Sequence, residues 1–219
     1  MKNLSSEKKA GEIYGSIIAW FAVVVLVTVF GVRVNALVKD VPPKKEYNVS
    51  QLGKYVTLIG DSISHQSEKE IKEALPGVDF EAVNGIYFYG KNKIGNEGGY
   101  ERLKKHAMRD VVVFMLGSNN GATTMQVSDV VDYVGETRKL VLMTIYFGGR
   151  EELMKNTNNQ INRFASKKDN VYVVDWYLSN YDDEKRFLLP DRLHPNKEGK
   201  QHFANLIKNE VLNALEIAE

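Results

Sequence analysis

Four short blocks of this sequence carry side chains able to do chemistry together. The first is Gly60-Asp61-Ser62, which follows the apolar run Tyr55-Val56-Thr57-Leu58-Ile59 and precedes a helix-compatible stretch reaching Leu75. That order reads as a strand, a tight turn and a helix. A serine in the first helical turn beyond a strand is exposed where ligands meet an open α/β sheet. The unpaired N–H groups and the dipole of that turn favour developing negative charge. Ser62 is therefore a candidate nucleophile, although Gly-Asp-Ser is also a common turn with a helix cap.

The second block is Pro190-Asp191-Arg192-Leu193-His194-Pro195-Asn196. An aspartate three residues ahead of a histidine can accept from the imidazole Nδ1–H, leaving Nε2 to take a proton from a hydroxyl. Pro195 stiffens the turn, and Asn196 can cap the helix that follows. His65, His106 and His202 are weaker candidates for a base, lying in helical or Lys-rich surroundings. The third block, Leu116-Gly117-Ser118-Asn119-Asn120-Gly121, has small residues for a sharp turn and a side-chain amide able to donate to an oxyanion. It equally fits an ordinary Asn- and Gly-rich turn. The fourth, Ala82-Val83-Asn84-Gly85, offers a glycine N–H with no side chain in the way, and Gly90 is the competing choice.

Positioning these blocks requires a sheet. Val78–Val83 alternates in polarity, as a half-exposed edge strand does. Val111–Leu116, Leu140–Ile145 and Val171–Val174 are unbroken apolar runs, as expected of parallel strands covered on both faces. Helix-length segments fall around 97–109, 124–136 and 151–167. Phe203, Ile207, Val211 and Leu215 recur every four residues on one face of a closing helix. The alternation implies a single doubly wound α/β domain over residues 54–219.

Upstream of it, residues 1–12 are polar. Ile13–Val32 holds no charged residue, and such a run makes about 30 Å of helix, enough to cross a bilayer. It is longer than the apolar core of a signal peptide and reads as an uncleaved anchor. Residues 33–53, with Pro42-Pro43 and Lys44-Lys45, read as a linker. The basic residues on the two sides of the apolar run offset each other, so charge does not set its orientation.

Composition narrows the function. A net charge of +1 over 219 residues lacks the basic excess of a nucleic-acid-binding protein. With no cysteine, disulfide frameworks, thiolate zinc sites and a cysteine nucleophile are excluded. No histidine cluster calls for a metal, and no cofactor is called for.

Taken jointly, Gly-Asp-Ser, a glycine after the second strand, Gly-x-Asn after the third and Asp-x-x-His before the last helix resemble the SGNH (GDSL) hydrolase superfamily. The resemblance covers about residues 54–215. It implies a three-layer, flavodoxin-like parallel sheet, with Ser62 as nucleophile, His194 as base and Asp191 as its orienting partner. It also implies an oxyanion hole made by the backbone N–H groups of Ser62 and Gly85 and the Asn119 side chain.

A narrower likeness involves Val173-Val174-Asp175-Trp176-Tyr177, the Leu116–Gly121 block and the N-terminal apolar segment. These look like the extracytoplasmic domain of Gram-positive peptidoglycan O-acetyltransferases. Two departures stand out: a single span in place of a multi-span acyl-exporting domain, and Ser-Asn-Asn where that group has Thr-Asn-Gly. The implied protein is a single-pass cell-membrane enzyme whose domain lies outside the cytoplasm. It would act on cell-wall glycan or another acetylated carbohydrate, with a separate multi-span membrane acyltransferase supplying acetyl. An esterase, lipase or thioesterase of the same fold is the alternative, then a silent anchored binding module. For Trp176 and Tyr177, core packing is the simpler expectation.

Overall fold

The computed structural model describes residues 45–217. Five strands, β1 (Val56–Gly60), β2 (Asp79–Ala82), β3 (Val111–Met115), β4 (Lys139–Met143) and β5 (Val171–Val174), form one sheet in the order β2-β1-β3-β4-β5. Every pairing is parallel. The order reverses direction between β1 and β3, and in such sheets the crevice outside the strands' carboxyl ends at that point receives ligands.

Alternate residues of each central strand feed two cores. Val111, Val113 and Met115 pack with Val56 and Leu58 on one face, against Ile71 of α2 (Glu68–Ala74), Trp176 of α6 (Trp176–Tyr181) and Phe203, Ile207 and Val211 of α8 (Lys197–Ala214). Val112, Phe114, Leu140 and Leu142 face the other way. They meet Leu103 of α3 (Gly99–Leu103), Val127, Val130 and Val131 of α4 (Thr124–Val134) and Ile161 of α5 (Glu151–Ala165). This gives the three layers expected, and β3 is buried along its whole length. β2 lies at the sheet edge and is half-buried throughout.

Several local expectations are corrected. The helix after Ser62 is two helices, α1 (Ser62–Gln66) and α2, broken at Ser67. Its hydroxyl donates to the Ile63 carbonyl at 2.9 Å, a side-chain bond that competes with the helical ladder. Of segment 97–109 only Gly99–Leu103 is α-helical. The stretch after β5 contains α6 and α7 (Glu184–Phe187), which carry no clear period in sequence. Val49–Tyr55 forms a 3₁₀ helix with Leu52 buried, so the packed body starts upstream of residue 54. Among the described residues no helix is long and apolar enough to cross a membrane. Segments 1–12 and 13–32 and most of the linker at 33–53 lie outside them.

The region after α7 is fastened by its own backbone. Leu188 and Pro195 form an antiparallel bridge, Leu189 N–H donates to the His194 carbonyl at 2.8 Å and Arg192 N–H to that of Leu189 at 2.9 Å. Asn196 caps α8 by accepting from Gly199 N–H at 2.9 Å, while its own amide donates to the Arg186 carbonyl at 2.9 Å. Gly199 lets the first turn of α8 lie against the Phe187 backbone. A Cβ there would fall 1.9 Å from the Phe187 carbonyl oxygen. Gly199→Ala should therefore lower stability by about 1–3 kcal/mol, read as a lower urea midpoint; an unchanged midpoint would show that this contact yields freely.

Candidate active site

The turn from β1 into α1 is tight. A Cβ on Gly60 would lie 2.3 Å from the Ser64 side chain, so glycine lets the first helical turn close over the strand end. Asp61 is the N-cap of α1, its carboxylate accepting from Ile63 N–H at 3.0 Å. Ser62 is then the first helical residue, only 7% exposed, and its backbone N–H donates no hydrogen bond among the described residues.

The loop before α8 brings the second block to this point. His194 Nε2 lies 2.9 Å from Ser62 Oγ across 132 positions of sequence. His194 Nδ1 lies 2.7 Å from Asp191 Oδ2. With the carboxylate accepting from Nδ1–H, Nε2 is left to accept the Ser62 hydroxyl proton. Asp191 also takes the backbone N–H groups of Leu193 (3.1 Å) and His194 (3.0 Å). Its partial burial would raise the carboxyl pKa, but the His194 side chain and these two N–H donors outweigh that and hold it below the usual value. Asp191 is thus an ionised acceptor with a fixed direction.

The other two blocks adjoin the same turn, Val83 N–H donating to the Gly60 carbonyl at 3.1 Å and Asn119 reaching Asp61. Gly85 stands at φ 70°, and its N–H makes no hydrogen bond among the described residues. The N–H of Gly90, the competing choice, is taken by Glu101 Oε2 at 2.9 Å. The Asn119 amide donates to the Ile86 carbonyl at 2.9 Å and lies 3.5 Å from Asp61 Oδ2. Asn119 therefore stitches the loops after β2 and β3 to the turn that carries Ser62. Asn120 is turned elsewhere, accepting from Phe88 N–H at 3.2 Å. His65 is exposed, His106 lies between Asp79 and Glu81 at the sheet edge, and the His202 ring stacks on Phe187.

Two features of the site escaped the sequence. Asp61 reads there as a turn acid, yet it is fully buried. Burial pushes its pKa from 3.8 up to about 6, against the opposing pull of Ile63 N–H and nearby His194. Its place between an apolar strand end and the nucleophile was the available signal. The second is a brace on the His194 loop. Arg192 sits at φ 58°, a strained backbone for a non-glycine, and its Nε donates to Glu184 at 2.8 Å. Glu184 also accepts from Tyr146 Oη at 2.7 Å. Nothing in the sequence spacing joins these three residues.

No protein-family model matches the chain. In sequence it is 28% identical over 156 residues to the peptidoglycan O-acetyltransferase OatA of Listeria monocytogenes, an alignment that takes in 71% of this chain and 23% of that protein. The chain thus spans about a quarter of that relative's length. In structure it is similar to the C-terminal catalytic domain of Streptococcus pneumoniae peptidoglycan O-acetyltransferase A, with a TM-score of 0.64 at 18% identity, over 74% of this chain and 94% of that one. It is also similar to a family 3 carbohydrate esterase of Clostridium thermocellum, with a TM-score of 0.52 at 19% identity, over 74% and 96%. At these identities the structural likeness establishes the fold, a five-stranded parallel α/β sheet.

Buried Asp61 gives a stability test. The folded chain keeps its proton up to about pH 6, whereas an ordinary aspartate carboxyl titrates near 3.8. The burial penalty is thus absent below the lower value, grows between the two and is constant above the higher. Asp61→Asn keeps an N-cap acceptor and removes the charge. Its stability relative to the parent should rise from pH 4 to 6 and level off, by up to about 3 kcal/mol. Urea unfolding at several pH values measures this, and a difference that does not change with pH would contradict it.

Proposed function

We propose that this SGNH-type domain, similar to peptidoglycan O-acetyltransferases, moves acetyl groups onto cell-wall glycan hydroxyls through an acetyl-Ser62 intermediate. The observation that carries the reading is the continuous chain Ser62 Oγ, His194 Nε2, His194 Nδ1, Asp191 Oδ2, with links of 2.9 and 2.7 Å. Those are the distances over which a base can take a hydroxyl proton and be held in one tautomer while doing so.

The steps follow from the geometry. As Ser62 Oγ attacks the acetyl carbonyl carbon, its proton passes to His194 Nε2, and Asp191 stabilises the imidazolium. The negative charge on the former carbonyl oxygen meets the uncommitted N–H groups of Ser62 and Gly85. Asn119 adds a third donor: the N–H now 3.5 Å from Asp61 makes only a weak bond and can turn to the oxyanion. When the tetrahedral centre collapses, the donor alcohol leaves with the proton from His194. An acceptor hydroxyl then gives its proton to Nε2, attacks the acetyl-enzyme and departs as the acetyl ester, which restores Ser62. If water replaces that hydroxyl, the same residues perform ester hydrolysis. The likeness to a carbohydrate esterase fold keeps that second reading in view.

The remaining parts of the reading rest on the sequence and the relatives. We propose that Ile13–Val32 anchors the chain in the cell membrane with the domain outside the cytoplasm, and that a separate multi-span membrane acyltransferase delivers acetyl. Neither cofactor nor metal enters the proposed steps.

The test supplies the full chain with an activated acetyl ester, with and without wall-derived oligosaccharide, and measures acetylated sugar against free acetate. Acetyl should move to sugar, Ser62→Ala should abolish both products, and Asn119→Ala should lower kcat by about 10²–10³. Free acetate alone, with pre-acetylated glycan being stripped, makes the protein an esterase; full turnover by Ser62→Ala removes the nucleophile assignment.

A further inference from the structure

Beside the triad, at the carboxyl ends of β4 and β5, lies a cleft of about 520 Å³ between α5 and α6. Neither Ser62 nor His194 lines it, but Arg192, from the loop that carries His194, forms part of its wall. Three tyrosines run along it. Tyr146 and Tyr177 have ring centroids 6.1 Å apart, Tyr177 and Tyr181 5.3 Å apart, and both pairs are tilted. Tyr181 is 61% exposed.

The opposite wall is polar and partly uncommitted. Asn158 is spoken for, its amide bonding the Ile145 N–H at 2.7 Å and the Ile145 carbonyl at 3.0 Å. Thr144 and Asp175 bond each other at 2.8 Å. Lys155, Asn159 and Asn162 lie along the same face of α5. They line the cleft, are exposed, and their side chains make no hydrogen bond among the described residues. The cleft therefore offers flat aromatic faces on one side and two free amides and an ammonium on the other.

We propose that this cleft is a subsite for a chain of N-acetylated pyranose sugars, holding the acceptor glycan while one hydroxyl reaches acetyl-Ser62. A pyranose has an apolar face of C–H bonds that covers an aromatic ring, and a rim of hydroxyl and amide groups that pair with carboxamides and ammonium. The lining favours this occupant over others. A fatty acyl chain would need continuous apolar walls, which Lys155, Asn159 and Asn162 interrupt. A nucleic acid would need a basic excess, yet Arg192 is paired with Glu184, and Glu151 shares the lining with Lys155.

The placement fits a sheet enzyme. β4 is the second strand from β1 and β5 the third, so the cleft opens about 10–15 Å from the end of β1. A short oligosaccharide spans that distance. Gly148 N–H donates to the Arg192 carbonyl at 2.9 Å, which ties the cleft wall to the loop that holds His194. An occupant of the cleft thus lies against the segment that aims the base. The role as acceptor subsite rests on the acyl-transfer reading above; the binding itself does not.

The experiment titrates N-acetylchitotetraose into the full chain carrying Ser62→Ala, by calorimetry. Saturable binding is expected, weakened about tenfold when Tyr181→Ala or Asn162→Ala is added. Both side chains are exposed, and a melting temperature matching that of the Ser62→Ala parent verifies that each variant folds. Affinity within about twofold of the parent in both variants, or no binding of the tetramer at all, overturns the proposal. So does Tyr181-dependent binding of a wall stem peptide in place of the sugar. Turnover of an activated acetyl ester by the unsubstituted chain is scored separately. Sugar binding in the cleft without turnover would leave the subsite standing and remove the acyl-transfer reading; turnover without cleft binding would do the reverse.

Discussion

The contact between Ser62 Oγ and His194 Nε2, 2.9 Å long and closed over 132 residues, sets what the rest of the fold must do. A hydroxyl and an imidazole on flexible loops would rarely meet at that distance, because fixing each side chain costs entropy. Here both are held by backbone. Ser62 is fixed as the first residue of α1 by the Asp61 cap and by Gly60, which lets the turn close. His194 is fixed by the bridge between Leu188 and Pro195, by the Asn196 cap of α8 and by three donors to Asp191. The parallel sheet supplies the common edge on which these pieces converge, and its order reverses where Ser62 emerges.

Holding that geometry stores free energy in unfavourable places. Asp61 buries a carboxyl whose ionised form is disfavoured, as its pKa of about 6 records. Arg192 adopts φ 58° in the middle of the Asp-x-x-His loop and is kept there by Glu184, itself bonded to Tyr146. Strain of this kind persists only where the surroundings over-determine it, and it gathers at sites of chemistry. The opposing gains come from the two cores, in which the central strands are covered on both faces.

Much of this was legible in the sequence. Val111–Leu116 and Leu140–Ile145 read as buried parallel strands because two-sided burial leaves no polar position within them. The motif blocks read as strand-end loops because Gly, Asn and Asp suit sharp turns. What was illegible depends on contacts between segments far apart. Gly99–Leu103 is far shorter than its 97–109 window because the chain leaves the helical ladder after Leu103, where Lys105 N–H bonds to the Arg102 carbonyl and His106 N–H to that of Leu103. At Ser67 the backbone leaves the helical ladder, its N–H bonding the Ser64 carbonyl while its hydroxyl donates to that of Ile63. Asn119 and Asn120 are indistinguishable by type, and only their partners, Ile86 with Asp61 and Phe88, separate them. The tyrosine cleft joins residues of the loop after β4, of α5 and α6 and of the His194 loop, and no local pattern announces it.

The most direct measurement is the fate of the acetyl group itself. The full chain is mixed with an activated acetyl ester, quenched in acid within the first turnovers, digested and read by mass spectrometry. One acetyl group should appear on the peptide holding Ser62, build up before free acetate and decay when acceptor is added. Acetyl carried on another residue, or steady turnover with Ser62 never modified, would contradict the account.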